Sequence, residues 1–233
     1  MTSRSLPPPT DRVERRSSGD QAAAYIRRLI FEGELRPGSR VPQDDVARTL
    51  GISRIPVREG LISLESEGWV TIVLHRGAFI NALDEDAVRD HYELYGMTYG
   101  FAAKRATERS GPELAERLGE LEKEMRATDD PRAFQRLTLE FHATVVTAAH
   151  SPRIKVLLRG MSGMIPGNFF AVVPGAIDVE RRGAAAVVRA IRKGDGDRAA
   201  EEYQRTLQRQ GDQVVQVMAE RGLFEPPSAV TVP

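Results

Sequence analysis

Two arginines spaced four apart, Arg54 and Arg58, stand at the start of a predicted helix. That spacing puts both side chains on one helix face. A guanidinium can fork onto guanine O6 and N7, or clamp a phosphate. Ser53 precedes them as a predicted N-cap, and the free amides of a helix start can hold a phosphate. Ile52, Val57, Leu61 and Leu64 form an apolar stripe that turns the two arginines outward. A second basic point is His75-Arg76-Gly77, between two β-rich runs, where a hairpin tip would reach a nucleic-acid backbone. The chemistry these residues offer is recognition of a duplex, not catalysis.

The elements that would position them follow from apolar periodicity and from Gly and Pro punctuation. A helix is predicted from Asp20 to Gly33, a turn at Pro37-Gly38, and a short helix over Gln43–Leu50 ended by Gly51. The arginine-bearing helix runs from Ser53 to about Glu67, with Pro56 tolerated in its first turn. Trp69–Val73 and Ala78–Ile80 then read as a hairpin. Three helices and a two-stranded wing in this order make a winged helix-turn-helix, whose second motif helix enters the major groove by its N-terminal end.

Beyond Asn81–Asp84 the chain reads as helix only. Long helices are expected from Asp86, Pro112, Arg132, Pro152, Asp178 and Asp197, broken at Gly111-Pro112, Asp129–Pro131, Ser151-Pro152 and Gly194–Gly196. The stretch with Phe169 and Phe170 reads as irregular. The expected fold class is mainly α: an N-terminal winged helix-turn-helix and a C-terminal antiparallel helical bundle. The expected division is a disordered arm over 1–18, the winged domain over 19–81, the bundle over 82–224 and a flexible tail over 225–233.

Composition narrows the rest. The chain has 233 residues, no cysteine, and equal numbers of basic and acidic residues, 33 each. Cysteine chemistry is therefore excluded. Up to Asn81 there are twelve arginines against ten acidic residues, a balance of +2, leaving 21 basic against 23 acidic, −2, for the remainder. Bulk charge argues nothing, so recognition rests on where particular arginines sit. No apolar run is long enough to span a bilayer, and a cytoplasmic location with no membrane partner is expected. No Gly-rich phosphate loop or Ser-His-Asp pattern is present, so an enzyme is not expected; a metal-dependent enzyme or sensor stays as a remote alternative.

Gly38–Val41, Val46–Leu61, Leu64, Glu67–Val70 and Arg76-Gly77 together resemble the GntR family of bacterial regulators over nearly all of residues 19 to 80. The helical remainder resembles, more loosely, the FCD effector-binding domain. The resemblance implies a homodimeric regulator, expected to be a repressor, that binds a pseudo-palindromic double-stranded operator and responds to a small metabolite. The expected DNA-binding residues are Arg40, Ser53, Arg54, Ile55, Arg58, His75, Arg76 and Gly77. Ile55 replaces the family's usual Thr, and Asp44 stands where many relatives place a DNA-contacting Arg.

The same resemblance implies one Asp and three His around a divalent metal. These positions fall on Thr138, His142, Ala184 and Thr206, so a single ligand survives; no metal and no cofactor is expected. A family Arg and Glu fall on Thr98 and Ala102, removing the usual carboxylate anchor. Met97, Thr98, Phe101, Phe141, His142, Met161, Met164 and Phe169 are then the expected lining of a pocket for an apolar or aromatic effector. The alternative is a constitutive dimeric DNA-binding regulator with a bundle that senses nothing.

Overall fold

The structure is a computed structural model that describes residues 17–161 and 169–224. Helix α1 spans Ser18–Phe31 and begins in a capping box, with Ser17 Oγ accepting from the Asp20 amide at 3.0 Å and the Asp20 carboxylate accepting from the Ser17 amide at 3.1 Å. Ser17 and Ser18, assigned to the arm on sequence, therefore belong to the folded head. The expected arm before them and the tail from Glu225 lie outside the described residues. Helix α2 spans Gln43–Leu50 and ends on Gly51 in the left-handed region; α3 spans Arg54–Ser66. Strands β1, Val70–Val73, and β2, Gly77–Ile80, pair antiparallel with Val70 opposite Ile80 and Val73 opposite Gly77. Arg40 adds an isolated bridge to Phe79, and the Val41 amide donates to the Ala78 carbonyl, so the stretch before α2 buttresses the wing.

Val57, Leu61 and Leu64 from α3 are buried with Ala22, Ile26 and Ile30 of α1, Val46 of α2 and Trp69. Ile52, the fourth residue of the predicted stripe, is only half-buried. Gly60 lets α1 cross closely: a Cβ there would stand 2.7 Å from the Gly19 carbonyl oxygen. Arg27 of α1 pairs with Glu67 at 2.5 Å where α3 ends.

The bundle comprises α4 (Glu85–Arg109), α5 (Pro112–Ala127), α6 (Pro131–Ala148), α7 (Pro152–Met161), α8 (Phe169–Val172), α9 (Ala176–Arg192) and α10 (Gly196–Glu220). The short α8 falls in the stretch read as irregular. Its Phe170 packs edge-on against Phe134 of α6, with ring centroids 4.7 Å apart. Helices α4 and α10 run antiparallel for their whole length, with Arg89 beside Asp212 and Lys104 beside Asp197. Gly96 and Gly100 permit this contact, because a Cβ at Gly100 would lie 2.9 Å from the Ala200 carbonyl oxygen. Helix α9 packs on α10 and α5, and α6 lies between α4 and α5. No helix among the described residues is long and apolar enough to cross a membrane.

Candidate functional site

Two regions gather the chemistry. The first is the exposed end of α3 with the wing. Ser53 is the N-cap of α3, as expected, in an extended conformation, φ −78° and ψ 170°, but its hydroxyl makes no capping hydrogen bond. The hydroxyl and the first-turn amides therefore stay available to an anion. Arg54, Ile55 and Arg58 are exposed behind it, while Val57 and Leu61 anchor the helix. Arg54 is not free: Asp44 of α2 takes its Nε at 2.5 Å and its Nη2 at 2.8 Å. Among the described residues Arg58 has no ion pair.

The wing tip is Leu74-His75-Arg76, closed by the Arg76 amide donating to the Val73 carbonyl at 3.0 Å. His75 adopts φ 62° and Gly77 φ 102°. His75 and Arg76 are exposed, and the Arg76 guanidinium sits 5.9 Å from the Phe79 ring centroid. Arg40 lies against the base of the wing, since a Cβ on Gly77 would stand 2.8 Å from Arg40 Nε. The eight predicted residues thus fall on the start of α3, the wing and the segment that braces the wing.

The second region is inside the bundle. His142 of α6 meets Glu180 of α9, Nε2 to Oε1 at 3.0 Å, and Gln210 of α10 donates to the other carboxylate oxygen at 2.7 Å. Glu180 is 2% exposed. Tyr99 and Tyr203 stack beside them, with centroids 5.4 Å apart and planes 8° apart, and the Tyr99 ring centre lies 4.8 Å from that of His142. Tyr95 stands edge-on to Tyr99 at 4.9 Å. Burial drives the hydroxyl pKa values of Tyr99 and Tyr203 well above their ordinary value, and the Glu180 charge adds to this. These phenols stay neutral. The Tyr203 hydroxyl and Thr138 Oγ1 are buried without a hydrogen-bond partner among the described residues.

Sequence reasoning missed Glu180, Gln210 and the tyrosines. The signal was present: Glu180 precedes Ala184 by four, and Gln210 follows Thr206 by four, so each lies one turn from an expected ligand position. The expected positions themselves do not fit a metal. Ala184 offers a methyl group, Thr206 Oγ1 donates to the Glu202 carbonyl, Thr138 offers a neutral hydroxyl, and His142 Nε2 is engaged by Glu180. Among the described residues no three His, Asp or Glu side chains converge.

The predicted apolar pocket is assembled only in part. Phe141, His142 and Phe169 face the bundle interior, but Met97 is 52% and Phe101 48% exposed. The inward face of α4 is taken by Tyr92, Tyr95, Tyr99, Ala102 and Ala106, which leaves Met97 and Phe101 on its outer side, with Arg105 over the Phe101 ring. Thr98 bonds back to the Leu94 carbonyl at 2.8 Å, and its hydroxyl lies 3.9 Å from Met161 Sδ. Met164 lies outside the described residues. His150 lines a separate open recess with Glu113, Arg117 and Glu140.

Comparison with known proteins decides the family. The model of "Bacterial regulatory proteins, gntR family" matches residues 18–80, and that of the FCD domain matches residues 90–209, more than half the chain. The chain belongs to the GntR family. It is similar to an HTH-type transcriptional regulator of Mycobacterium tuberculosis, 34% identical over 159 residues that cover 68% of this chain and 65% of that one. A Nta operon transcriptional regulator of Aminobacter aminovorans is 29% identical over 132 residues, covering 56% of this chain and 63% of that one. The matches thus span just under two thirds of these relatives' lengths. Among solved structures, E. coli McbR/YncC shares the fold with a TM-score of 0.64 at 16% identity, over 87% of this chain and 99% of that one. Within this GntR–FCD architecture, the winged head and the His142 site occupy separate domains.

Proposed function

We propose that this protein is a sequence-specific DNA-binding transcriptional regulator, a homodimeric repressor whose operator affinity is set by a small molecule in the FCD domain. The observation that carries it is the start of α3: two guanidinium groups and an uncommitted helix N-terminus stand exposed on a helix whose other face is locked into the core. Arg58 contacts phosphate or a base edge, and His75 and Arg76 reach the flanking backbone. Arg40 and Gly77 hold the wing. Selection from random DNA, followed by gel shift with Arg58→Ala, tests the reading. The wild type selects a palindromic site and the variant loses it; an unchanged shift overturns the assignment of α3.

An exposed apolar stripe supports the homodimer: Leu94, Met97 and Phe101 on α4, with Val156 and Leu157 on the neighbouring α7. Placing glutamate at Met97 and Phe101 together should yield monomers in sedimentation; an unchanged dimer refutes this face.

The effector site is centred on His142 and Glu180. Its rings favour a flat apolar body, and the unpartnered Tyr203 and Thr138 hydroxyls favour a ligand with one or two hydrogen-bonding atoms. One observation favours the second reading, a bundle that senses nothing: His142, Glu180 and Gln210 satisfy one another. A melting-temperature screen against small metabolites separates the two, since a ligand for the folded state raises the melting temperature.

A further inference from the structure

We propose that Asp44 is a specificity-determining residue that holds Arg54 for readout of a single guanine, instead of leaving it to clamp phosphate. This rests on the DNA-binding reading above and adds a role to a residue that carries the wrong charge for DNA.

The geometry supplies the argument. Asp44 is in the first turn of α2 and Arg54 opens α3, ten residues later across the helix-turn-helix turn. The carboxylate accepts a hydrogen bond from Nη2 at 2.8 Å, and its other oxygen lies 2.5 Å from Nε as an ion pair. That occupies the side edge of the guanidinium. The opposite fork, made by the Nη1 hydrogens and the second Nη2 hydrogen, is left open, and this fork matches guanine O6 and N7.

Electrostatics points the same way. The two side chains are 72% and 57% exposed, so in the free protein water screens the pair and it adds little stability. Its effect is on the complex. An unpaired Asp44 facing a duplex would repel phosphates; paired, it cancels the charge of Arg54. A neutralised guanidinium gains little from phosphate, where attraction scales with charge, but keeps its directional donors for a base edge. The side-edge contact also biases the Arg54 torsions toward one arrangement, so less rotamer freedom is lost when the base is met. Arg58 stays charged and supplies the sequence-independent attraction.

The test compares wild type, Asp44→Ala, Asp44→Asn and Arg54→Ala as full-length chains on the selected operator and on every single-base variant of it, at several salt concentrations. Asp44→Ala should weaken discrimination at one base pair per half-site by about tenfold, the scale of one good bidentate contact. It should also steepen the salt dependence by about one counterion per half-site, as Arg54 is freed toward phosphate. Asp44→Asn, which keeps the helix start and the shape but not the charge, should fall between. Arg54→Ala should lose discrimination at the same base pair. Lost discrimination at different base pairs in the Asp44 and Arg54 variants overturns the proposal, because the two then read independently. So does a base-by-base profile and salt slope in both Asp44 variants equal to wild type. If the wild type itself selects no sequence, the DNA reading falls; if it selects one and the Asp44 variants behave as wild type, only the role of Asp44 falls.

Discussion

The guanidinium of Arg221 lies 4.8 Å from the centroid of the Phe31 ring and donates to the Phe31 carbonyl at 2.6 Å. Phe31 is the last residue of α1 in the winged head, and Arg221 caps α10 of the bundle. Helix α10 also carries Tyr203 and Gln210, so one rigid element runs from the buried polar site to the head.

Arg221→Ala removes both interactions. A hydrogen bond from a charged donor contributes about 1.5–3 kcal/mol, and a partly exposed cation–π contact about 0.5–1 kcal/mol. Amide exchange in the last turn of α1 should quicken by about tenfold or more, while the centre of α10 stays protected. Unchanged exchange at Arg28–Phe31 would show that the heads are tethered only by chain connectivity.

The buried carboxylate predicts an asymmetry between two substitutions. His142→Ala leaves the Glu180 side chain buried with Gln210 as its one remaining hydrogen-bond partner among the described residues and opens a cavity, which together should cost about 2–4 kcal/mol. Glu180→Gln keeps the volume and removes the charge, and should cost at most about 1–2 kcal/mol. Urea unfolding of the two variants checks this. Equal losses would mean that the pair is more hydrated than its burial indicates.

Stability should also depend on pH through His91. Burial against Tyr92 and Tyr95 pushes its pKa below the ordinary 6.5, and a hydrogen bond with the Met161 backbone pulls weakly the other way. The folded chain therefore takes up this proton at lower pH than the unfolded chain. The stability is complete above 6.5 and is lost as pH falls from there through the folded value. The melting temperature should fall as pH drops below about 6.5, and His91→Gln should reduce that fall. An equal drop in the variant would assign the effect to other groups.

What the sequence made legible was what local chemistry determines. Gly51, Gly68, Pro112 and Pro152 place helix ends because φ and missing donors act where they stand. The stripe of Val57, Leu61 and Leu64 orients α3 because period and burial agree. Contacts between elements were not legible. Asp44 meets Arg54 across a turn, and His142 meets Glu180 from 38 residues away, a pairing to which only the one-turn offset from the Ala184 position points. Met97 and Phe101 misled because α4 carries large apolar side chains on two faces, Leu94, Met97 and Phe101 on one and Tyr92, Tyr95 and Tyr99 on the other. Its Tyr face and its Met-Phe face look equally core-like in sequence, and only packing against α10 shows which is inside.

Gly77 offers the most direct check on how the wing is held. Its φ of 102° lies where side chains are strained, and a Cβ would meet Arg40 Nε at 2.8 Å. Gly77→Ala thus carries a backbone cost of about 1 kcal/mol or more and pushes Arg40 from its seat. If Arg40 and the wing tip act together on the operator flank, affinity should fall several-fold at low salt with base preference unchanged, because the wing then releases phosphates and not bases. Arg40→Ala should weaken binding similarly, and combining the two should add little, since each already breaks the same interaction. Fully additive losses would mean that Arg40 and the wing touch DNA independently, and that the close approach at Gly77 serves the fold alone.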